Sequence, residues 1–584
     1  MKRSCVKSVL LGLFVFMNHM TTTGVSASDL PRQAGDPHPA DGERDCSRRP
    51  ILSWATGANP VSRFKENETG NDVYFGTDYR EVMEAADLQK PSGKGNRPTR
   101  TFYPGTLDKN TTYYWRVDQK NSVGMTKGEV WSFTTGEKNV PPVEFEPTWE
   151  SLDKHQTPEW FKNAKVGIFI YSLSPTRAEY DAYWKKHGQL GKEYPKIGRE
   201  YPKSMELDAW DRNKWDPEGL ARLAVDTGAR YIVFSAQGEW IFFPSRYADI
   251  PGSKFSKIGP GQKDYVGEIA EAVRSRGLKF GIYTNYQKPY LYPYWHRIMY
   301  DMIDRYQPAT LWFDEHKMGN TATLLHSREL LAYYYNNSTK QDEVAAEDAL
   351  GLYKVKTWGR KLVHGDWYRK EMGPRHDDIS EGSFVRYEPL YRWRNRSPVG
   401  RSSGLVKNLV DWLVDAVSKG GNIELTIHLH EPLFSFEKRT MLQIGMWLDV
   451  NGEAIYDTRP WVDAKPQSKT AEGIDVRFTV KNDSLYAILL DWPTGLSHPM
   501  DPGVLRYRVE TQALGKATFG NLRARQGTRI EMLGIDWTTL NWQQDEKGLV
   551  VTMPGRSGDS GFEPEIPCDH AYAIKITPRP DWVD

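Results

Sequence analysis

From Lys165 onward the chain alternates short apolar runs with stretches of helical period. Lys165 to Tyr171, Tyr231-Ile232-Val233-Phe234, Lys279-Phe280-Gly281-Ile282-Tyr283, Thr310-Leu311-Trp312-Phe313 and Ile423-Glu424-Leu425-Thr426-Ile427 have the length and density of buried strands. Between them, Trp215-Asp216-Pro217 opens a helix with Asp216 as N-cap and Pro217 in the first position. Leu220, Leu223 and Ala224 form its apolar face, and Gly228 ends it. Asp264 caps a second helix whose Val266, Ile269, Ala270 and Val273 fall at i, i+3, i+4 and i+7 before Gly277. A third runs from Leu405 to Val417 and stops at Lys419-Gly420-Gly421. Repeated strand–helix units with strands apolar on both faces predict an α/β domain with a parallel sheet over residues 146–464. No Gly-rich phosphate loop follows any of these strands, which favours a (β/α) barrel over an open nucleotide-binding sheet.

The flanks have strand texture instead. Over residues 46–138, Ile51-Leu52-Ser53-Trp54, Val73-Tyr74-Phe75, Tyr113-Tyr114-Trp115-Arg116-Val117 and Val130-Trp131-Ser132-Phe133-Thr134 predict a β-sandwich. The run Thr111 to Val117 followed by Val130 to Gly136 resembles the last strands of a fibronectin type III module. That resemblance implies a spacer or a module docking to a surface or polysaccharide, rather than chemistry. Residues 28–45 are rich in Pro, Gly and Asp and are expected to be a linker. Val476-Arg477-Phe478-Thr479-Val480 and Leu485-Tyr486-Ala487-Ile488-Leu489 alternate again, so residues 465–584 are expected to be a C-terminal β-sandwich. At the start, Lys2, Arg3 and Lys7 precede the apolar run Val9 to Met17 and the small residues Val25-Ser26-Ala27. Residues 1–27 therefore read as a secretory signal peptide, too short in its apolar part to span a bilayer. A secreted or periplasmic protein with no membrane span is expected.

Composition narrows the function classes. A formal net charge of +1 over 584 residues offers no field for nucleic acid, and none is expected as a partner. Aromatic residues make up 12% of the chain, including 21 Trp and 31 Tyr, which suits either large cores or stacking on the apolar faces of sugar rings. Cys46 and Cys568 lie beyond the signal segment, near opposite ends, and leave both a disulfide and two thiols open. No Cys/His cluster has zinc spacing, so neither a metal nor another cofactor is expected.

In a barrel the residues just past the strand ends line the active site. That rule selects Asp314 and Glu315, although Asp314 would equally serve as the N-cap of the next helix. A retaining glycosidase needs a second carboxyl group about 5–5.5 Å away. Glu239, Glu347, Asp348, Asp366, Glu371 and Asp377 are all candidates, and spacing does not choose among them.

Several motifs together resemble the alpha-L-fucosidase family (glycoside hydrolase family 29). They are Trp160-Phe161-x-x-Ala164-Lys165-x-Gly167-Ile168-Phe169-Ile170, Trp215-Asp216-Pro217, Ser418-Lys419-Gly420-Gly421-Asn422, Trp447-Leu448-x-x-Asn451-Gly452-Glu453-Ala454-Ile455-Tyr456 and Thr458-Arg459-Pro460-Trp461. The resemblance covers Pro158 to Trp461 and implies a retaining exo-alpha-glycosidase on a (β/α) barrel. It also implies Asp314, in Trp312-Phe313-Asp314, as nucleophile and Glu371, in His364-Gly365-Asp366-Trp367-Tyr368-Arg369-Lys370-Glu371, as acid/base. Leu352 to Leu362 looks like an insertion ahead of the second motif.

The departures concern the sugar's hydroxyl-binding shell. Tyr171 stands where the family's first strand has a histidine, and Ala236-Gln237-Gly238-Glu239-Trp240 replaces a segment carrying a histidine pair. Glu347-Asp348-Ala349-Leu350-Gly351 lacks the family's arginine. Arg386-Tyr387-Glu388-Pro389-Leu390-Tyr391-Arg392-Trp393-Arg394-Asn395-Arg396 interleaves arginines with aromatics, either to hold an anionic glycan or to pair with neighbouring acids. Tyr171, Trp184, Glu239, Trp240, Trp312, Trp367, Arg392 and Trp393 are the candidate substrate contacts. The expected substrate is a glycan ending in alpha-linked fucose or a related sugar, sulfated or not. The alternatives are a carbohydrate-binding pseudoenzyme and a glycosidase for sulfated galactan or fucan oligosaccharides.

Overall fold

The apolar runs become a ring of parallel strands: β1 (Val166–Tyr171), β2 (Tyr231–Gln237), β3 (Lys279–Asn285), β4 (Thr310–Asp314), β5 (Ala345–Ala346), β6 (Trp367–Lys370), β7 (Ser383–Pro389) and β8 (Gly421–His428). The computed structural model describes residues 30–56, 70–97, 100–121, 123–137, 144–171, 215–237, 243–244, 264–285, 292–314, 327–338, 343–347, 365–370, 379–380, 382–390, 402–428, 435–463, 468–493, 515–535, 539–554, 568 and 570–583. Strands adjacent in sequence pair in parallel, and β1 also pairs with β8. Between β5 and β6 a parallel bridge joins Glu347 to Trp367, and the Asp366 N–H donates to the Ala346 carbonyl at 2.9 Å. That joint closes the eight-stranded sheet into a barrel.

Helices α1 (Pro217–Asp226), α2 (Tyr265–Ser275), α3 (Tyr292–Tyr306), α4 (Ser327–Asn337), α5 (Ser402–Ser418) and α6 (Ser435–Asn451) follow their strands in chain order. Asp216 and Asp264 cap α1 and α2, each accepting the N–H of the third residue on, Gly219 and Gly267, at 2.8 Å. Gly228 and Gly277 follow these helices at φ of +80° and +74°, where a side chain would be strained.

Side-chain alternation sorts each strand into two cores. Ile168, Ile170, Ile232, Phe234, Leu311, Phe313, Leu425 and Ile427 face the helices. Phe169, Tyr231, Val233, Tyr283, Trp312, Ala345, Trp367 and Val385 fill the barrel. A short helix, Glu159–Ala164, closes the N-terminal end, where Phe161 lies 5.7 Å from Trp367 and 5.9 Å from Tyr231 between ring centroids. Gly167 makes room for the Tyr231 ring, since a Cβ there would sit 2.3 Å from it.

The family-like motifs are largely architectural. In Ser418-Lys419-Gly420-Gly421-Asn422, the buried Lys419 ammonium lies 2.8 Å from Asp415, and Asn422 donates to the Phe161 carbonyl at 2.9 Å. A Cβ on Gly421 would meet the Phe384 ring at 2.3 Å. The motif around Trp447 joins the barrel to the C-terminal domain. There the Trp447 indole donates to the Ala571 carbonyl at 2.8 Å, and Glu453 accepts from the Tyr486 hydroxyl and the Lys575 ammonium.

That domain pairs Asp475–Lys481, Ser484–Leu489, Tyr572–Thr577 and Arg529–Met532 in one antiparallel sheet. A second sheet of Lys516–Phe519, Gly548–Thr552 and Trp542–Asp545 shares its core.

The N-terminal region also holds two sheets over one core, in which Trp115 lies 4.7 Å from Trp131 and 6.1 Å from Trp54. The expected linker at 28–45 is corrected here, because its described part forms strands. Ala34–His38 pairs with Leu52–Thr56, and Glu43–Cys46 pairs with Val130–Thr135. A strand added to an existing sheet edge gains its stability from main-chain bonds and needs little apolar area of its own, which composition does not register. Cys46 and Cys568 are thiols in different domains, not bonded to each other, and burial pushes the Cys46 thiol up to about 12. The N-terminal domain docks on the end of α4: Arg49 donates to the Asn336 carbonyl at 2.7 Å, and Tyr103 meets Tyr333 edge-on at 5.4 Å. Among the described residues no helix is long and apolar enough to cross a membrane. The signal-peptide reading lies outside the described residues.

Candidate active site

Asp314 is the last residue of β4, and its backbone pairs with Asn285 at the end of β3. Two residues earlier on β4, Trp312 belongs to an aromatic floor that fills the barrel beneath this end. Phe169 lies 4.3 Å from Trp312, Tyr283 5.3 Å and Tyr387 5.7 Å between ring centroids. Tyr171, at the end of β1, is half-buried and packs on Phe169 and Tyr283 at 5.5 and 5.8 Å. A floor of tilted and edge-to-face rings excludes water and leaves a low-dielectric base, on which charges at the strand ends act strongly. Beside it, the Glu347 carboxylate accepts the Phe313 N–H at 2.9 Å and is 1% exposed.

The structure sorts the sequence candidates. Trp312 and Tyr171 come together at this end, with Trp312 itself 1% exposed within the floor. Trp367 lies a layer beneath them, meeting Trp312 edge-on at 6.0 Å between ring centroids. It begins β6 at the opposite end, fully buried, with its indole donating to Thr310 and its ring on Phe161. Its place is the packed base of the barrel, because an aromatic residue at the start of a strand faces the N-terminal plug rather than the mouth. Asp366 is likewise at the wrong end for acid/base chemistry. Its carboxylate bonds His155 at 2.7 Å, the Tyr335 hydroxyl at 3.1 Å and the Ala346 N–H at 2.8 Å. Arg386 pairs with Glu388 at 2.6 Å and lies over the Trp412 ring of α5, so this part of the arginine–aromatic segment is structural. Trp184, Glu239, Trp240, Glu315, Asp348, Glu371, Asp377, Arg392 and Trp393 lie outside the described residues. The bond from Phe313 to Glu347 has no sequence signal, since it joins two loop-separated strand ends.

At the N-terminal end of the barrel, burial, reinforced by nearby Arg459, holds the Lys165 amine down at about 7. Burial and the adjacent Glu424 carboxylate raise the Tyr231 phenol well above its ordinary value, so it stays neutral inside the barrel.

A family model described as alpha-L-fucosidase matches residues 133–453, and one described as alpha-L-fucosidase C-terminal domain matches residues 467–577. The tissue alpha-L-fucosidase of Rattus norvegicus is 27% identical over 485 residues, covering 75% of this chain and 94% of its own. The plasma alpha-L-fucosidase of Homo sapiens is 28% identical over 487 residues, covering 74% and 92%. The crystal structure of Thermotoga maritima alpha-fucosidase superimposes with a TM-score of 0.54 at 25% identity, over 74% of this chain and 99% of that one. The closed parallel barrel, its aromatic floor and the β-rich C-terminal domain are those of a barrel glycoside hydrolase. The family-model match covers more than half of the sequence, and the chain belongs to the alpha-L-fucosidase family.

Proposed function

We propose that the protein is a secreted retaining exo-alpha-glycosidase that removes terminal alpha-linked fucose, or a related sugar carrying substituents such as sulfate, from glycans. One observation carries the reading: Asp314 is the last residue of β4, at the end of a barrel where substrates are processed, directly after Trp312-Phe313. Residues 312 and 314 share a face of the strand by its two-residue period, and Trp312 is inside the barrel. Asp314 would attack the anomeric carbon. Glu371, the residue after the last one of β6, would protonate the leaving oxygen and then activate water. Tyr171, in place of a family histidine, supports a changed hydroxyl-binding shell, because its ring packs on other rings. A fibronectin type III-like N-terminal domain that contacts a surface or polysaccharide, and export after loss of residues 1–27, belong to the same proposal.

The test is covalent trapping. Incubation with 2-deoxy-2-fluoro-fucosyl fluoride should add one glycosyl mass to the peptide containing Asp314, and none in Asp314→Asn. Turnover without any trapped species, or a label on another carboxylate, would sink the assignment.

A further inference from the structure

Strand β5 is short, pairing with β4 only through Thr310↔Ala345 and Leu311↔Ala346. The parallel ladder continues for one more bond, from the Glu347 N–H to the Leu311 carbonyl at 3.0 Å. In the evenly spaced pattern of a parallel pair, the next donor, the Phe313 N–H, would reach the main-chain carbonyl of residue 347. It reaches the side chain instead: Glu347 Oε2 accepts it at 2.9 Å, with both groups buried. The carboxylate of Glu347 thus supplies the ladder acceptor at the point where β5 ends. The N–H it holds is that of Phe313, the residue immediately before Asp314.

We infer that Glu347 is a positioning residue for the nucleophile, helping to fix the end of β4 through this side-chain bond. The inference rests on the reading of Asp314 as nucleophile. A strand end held on one side by β3 and on the other by a buried side-chain acceptor is restrained from drifting toward or away from the anomeric carbon. In-line attack tolerates little drift, and a displacement of about 1 Å costs about 10²-fold in rate. The same bond explains why the residue must reach: the acceptor has to span from the end of β5 to an amide on the neighbouring strand. Reach and hydrogen-bond acceptance, not charge, are what the position requires.

Three substitutions separate these properties. Glu347→Gln keeps both reach and an acceptor oxygen, Glu347→Asp keeps the charge but is one methylene shorter, and Glu347→Ala keeps neither. The readout is the rate constant for covalent trapping by 2-deoxy-2-fluoro-fucosyl fluoride, with the labelled peptide mapped and KM measured in steady state. The expected order is wild type within about 5-fold of Gln, with Asp and Ala both lower by about 10²-fold and KM within about 3-fold throughout. Trapping refers only to folded sites, so a fraction of misfolded Ala variant does not imitate a slower rate, and the Gln rescue stands independently of Ala. Asp matching wild type while Gln falls would make charge the operative property and overturn the inference. So would an Ala variant that traps at the wild-type rate. A label that maps away from Asp314 in the wild type would instead refute the nucleophile assignment, a result distinguishable from either.

Discussion

Asp415→Asn tests how the barrel and the C-terminal domain are held together. Asp415, on α5, places one oxygen 2.8 Å from the Lys419 ammonium and 2.8 Å from Arg477 Nε on the C-terminal sheet. The three side chains are no more than 4% exposed. The amide replacement keeps size and shape but leaves two buried cations near each other without this counter-charge. Removing one partner of a buried ion pair costs about 3–5 kcal/mol, most of it from the charge left behind. In a cooperative unit as long as the barrel and C-terminal domain together, that corresponds to a fall of about 3–5 °C in the thermal transition involving both domains. Differential scanning calorimetry at low and high salt is the assay, and the change should persist in salt because the cluster is screened little. The double variant Asp415→Asn/Lys419→Met removes one of the stranded cations and should be less destabilised than Asp415→Asn alone. A single variant within about 1 °C of wild type, or a double variant equal to the sum of the singles, would refute the charge argument.

Glu371→Ala should slow glycosides with poor leaving groups far more than activated aryl glycosides, and azide should restore part of the rate; equal slowing without azide rescue would move the acid/base role to another carboxylate such as Glu239. Plain aryl alpha-L-fucoside should be a poor substrate, with kcat/KM roughly 10²-fold below that on a larger or substituted fucose- or galactose-containing oligosaccharide, because lost hydroxyl partners cost about 1–3 kcal/mol each. High efficiency on the aryl fucoside would mean that other side chains replace the family histidines. The amine of Lys165 is held at about 7 in the folded chain against 10.5 otherwise, so the unfolded chain binds the extra proton between those values and stability should climb as pH rises through that window. Below about 7 the cost of the buried ammonium is present in full, so Lys165→Met should be stabilised relative to wild type at pH 6 by more than at pH 10. A pH-independent difference in denaturant midpoints would count against it.

The strands most visible in the sequence are those whose two faces are both buried in apolar surroundings. β1, β2, β3 and β4 read as apolar runs because helices cover one face and aromatic rings the other, while β8 alternates, with Ile423, Leu425 and Ile427 toward the helices and buried polar Glu424 and Thr426 on its other face. β5 has only two residues, and β6 ends in Arg369-Lys370. β7 carries the buried Arg386–Glu388 pair on its helix-facing side, which breaks the hydropathy pattern of an otherwise buried strand. Helices α1 and α2 were legible down to their caps, since an aspartate ahead of the first turn and a glycine after the last are local signals. α3 holds polar and aromatic residues in nearly equal measure, and its sequence, YPYWHRIMYDMIDRY, offers no comparable start.

The sequence by itself determined the order of domains, the barrel class and the aspartate at the end of β4, because each depends on local pattern and on motifs contiguous in the chain. Only the tertiary structure decided which carboxylates stand at which end of the barrel. Asp366 stands ahead of β6, bonded to His155 and Tyr335, whereas Glu347 stands past the end of β5, bonded to the Phe313 N–H. The tertiary structure also turned the family-like motifs around Lys419 and Trp447 into domain contacts, and made Glu347 the acceptor for the amide preceding Asp314. Those relations join residues far apart in sequence through side-chain bonds. No periodicity records them, because their energy comes from desolvated pairs that exist only once the strands and domains have closed around them.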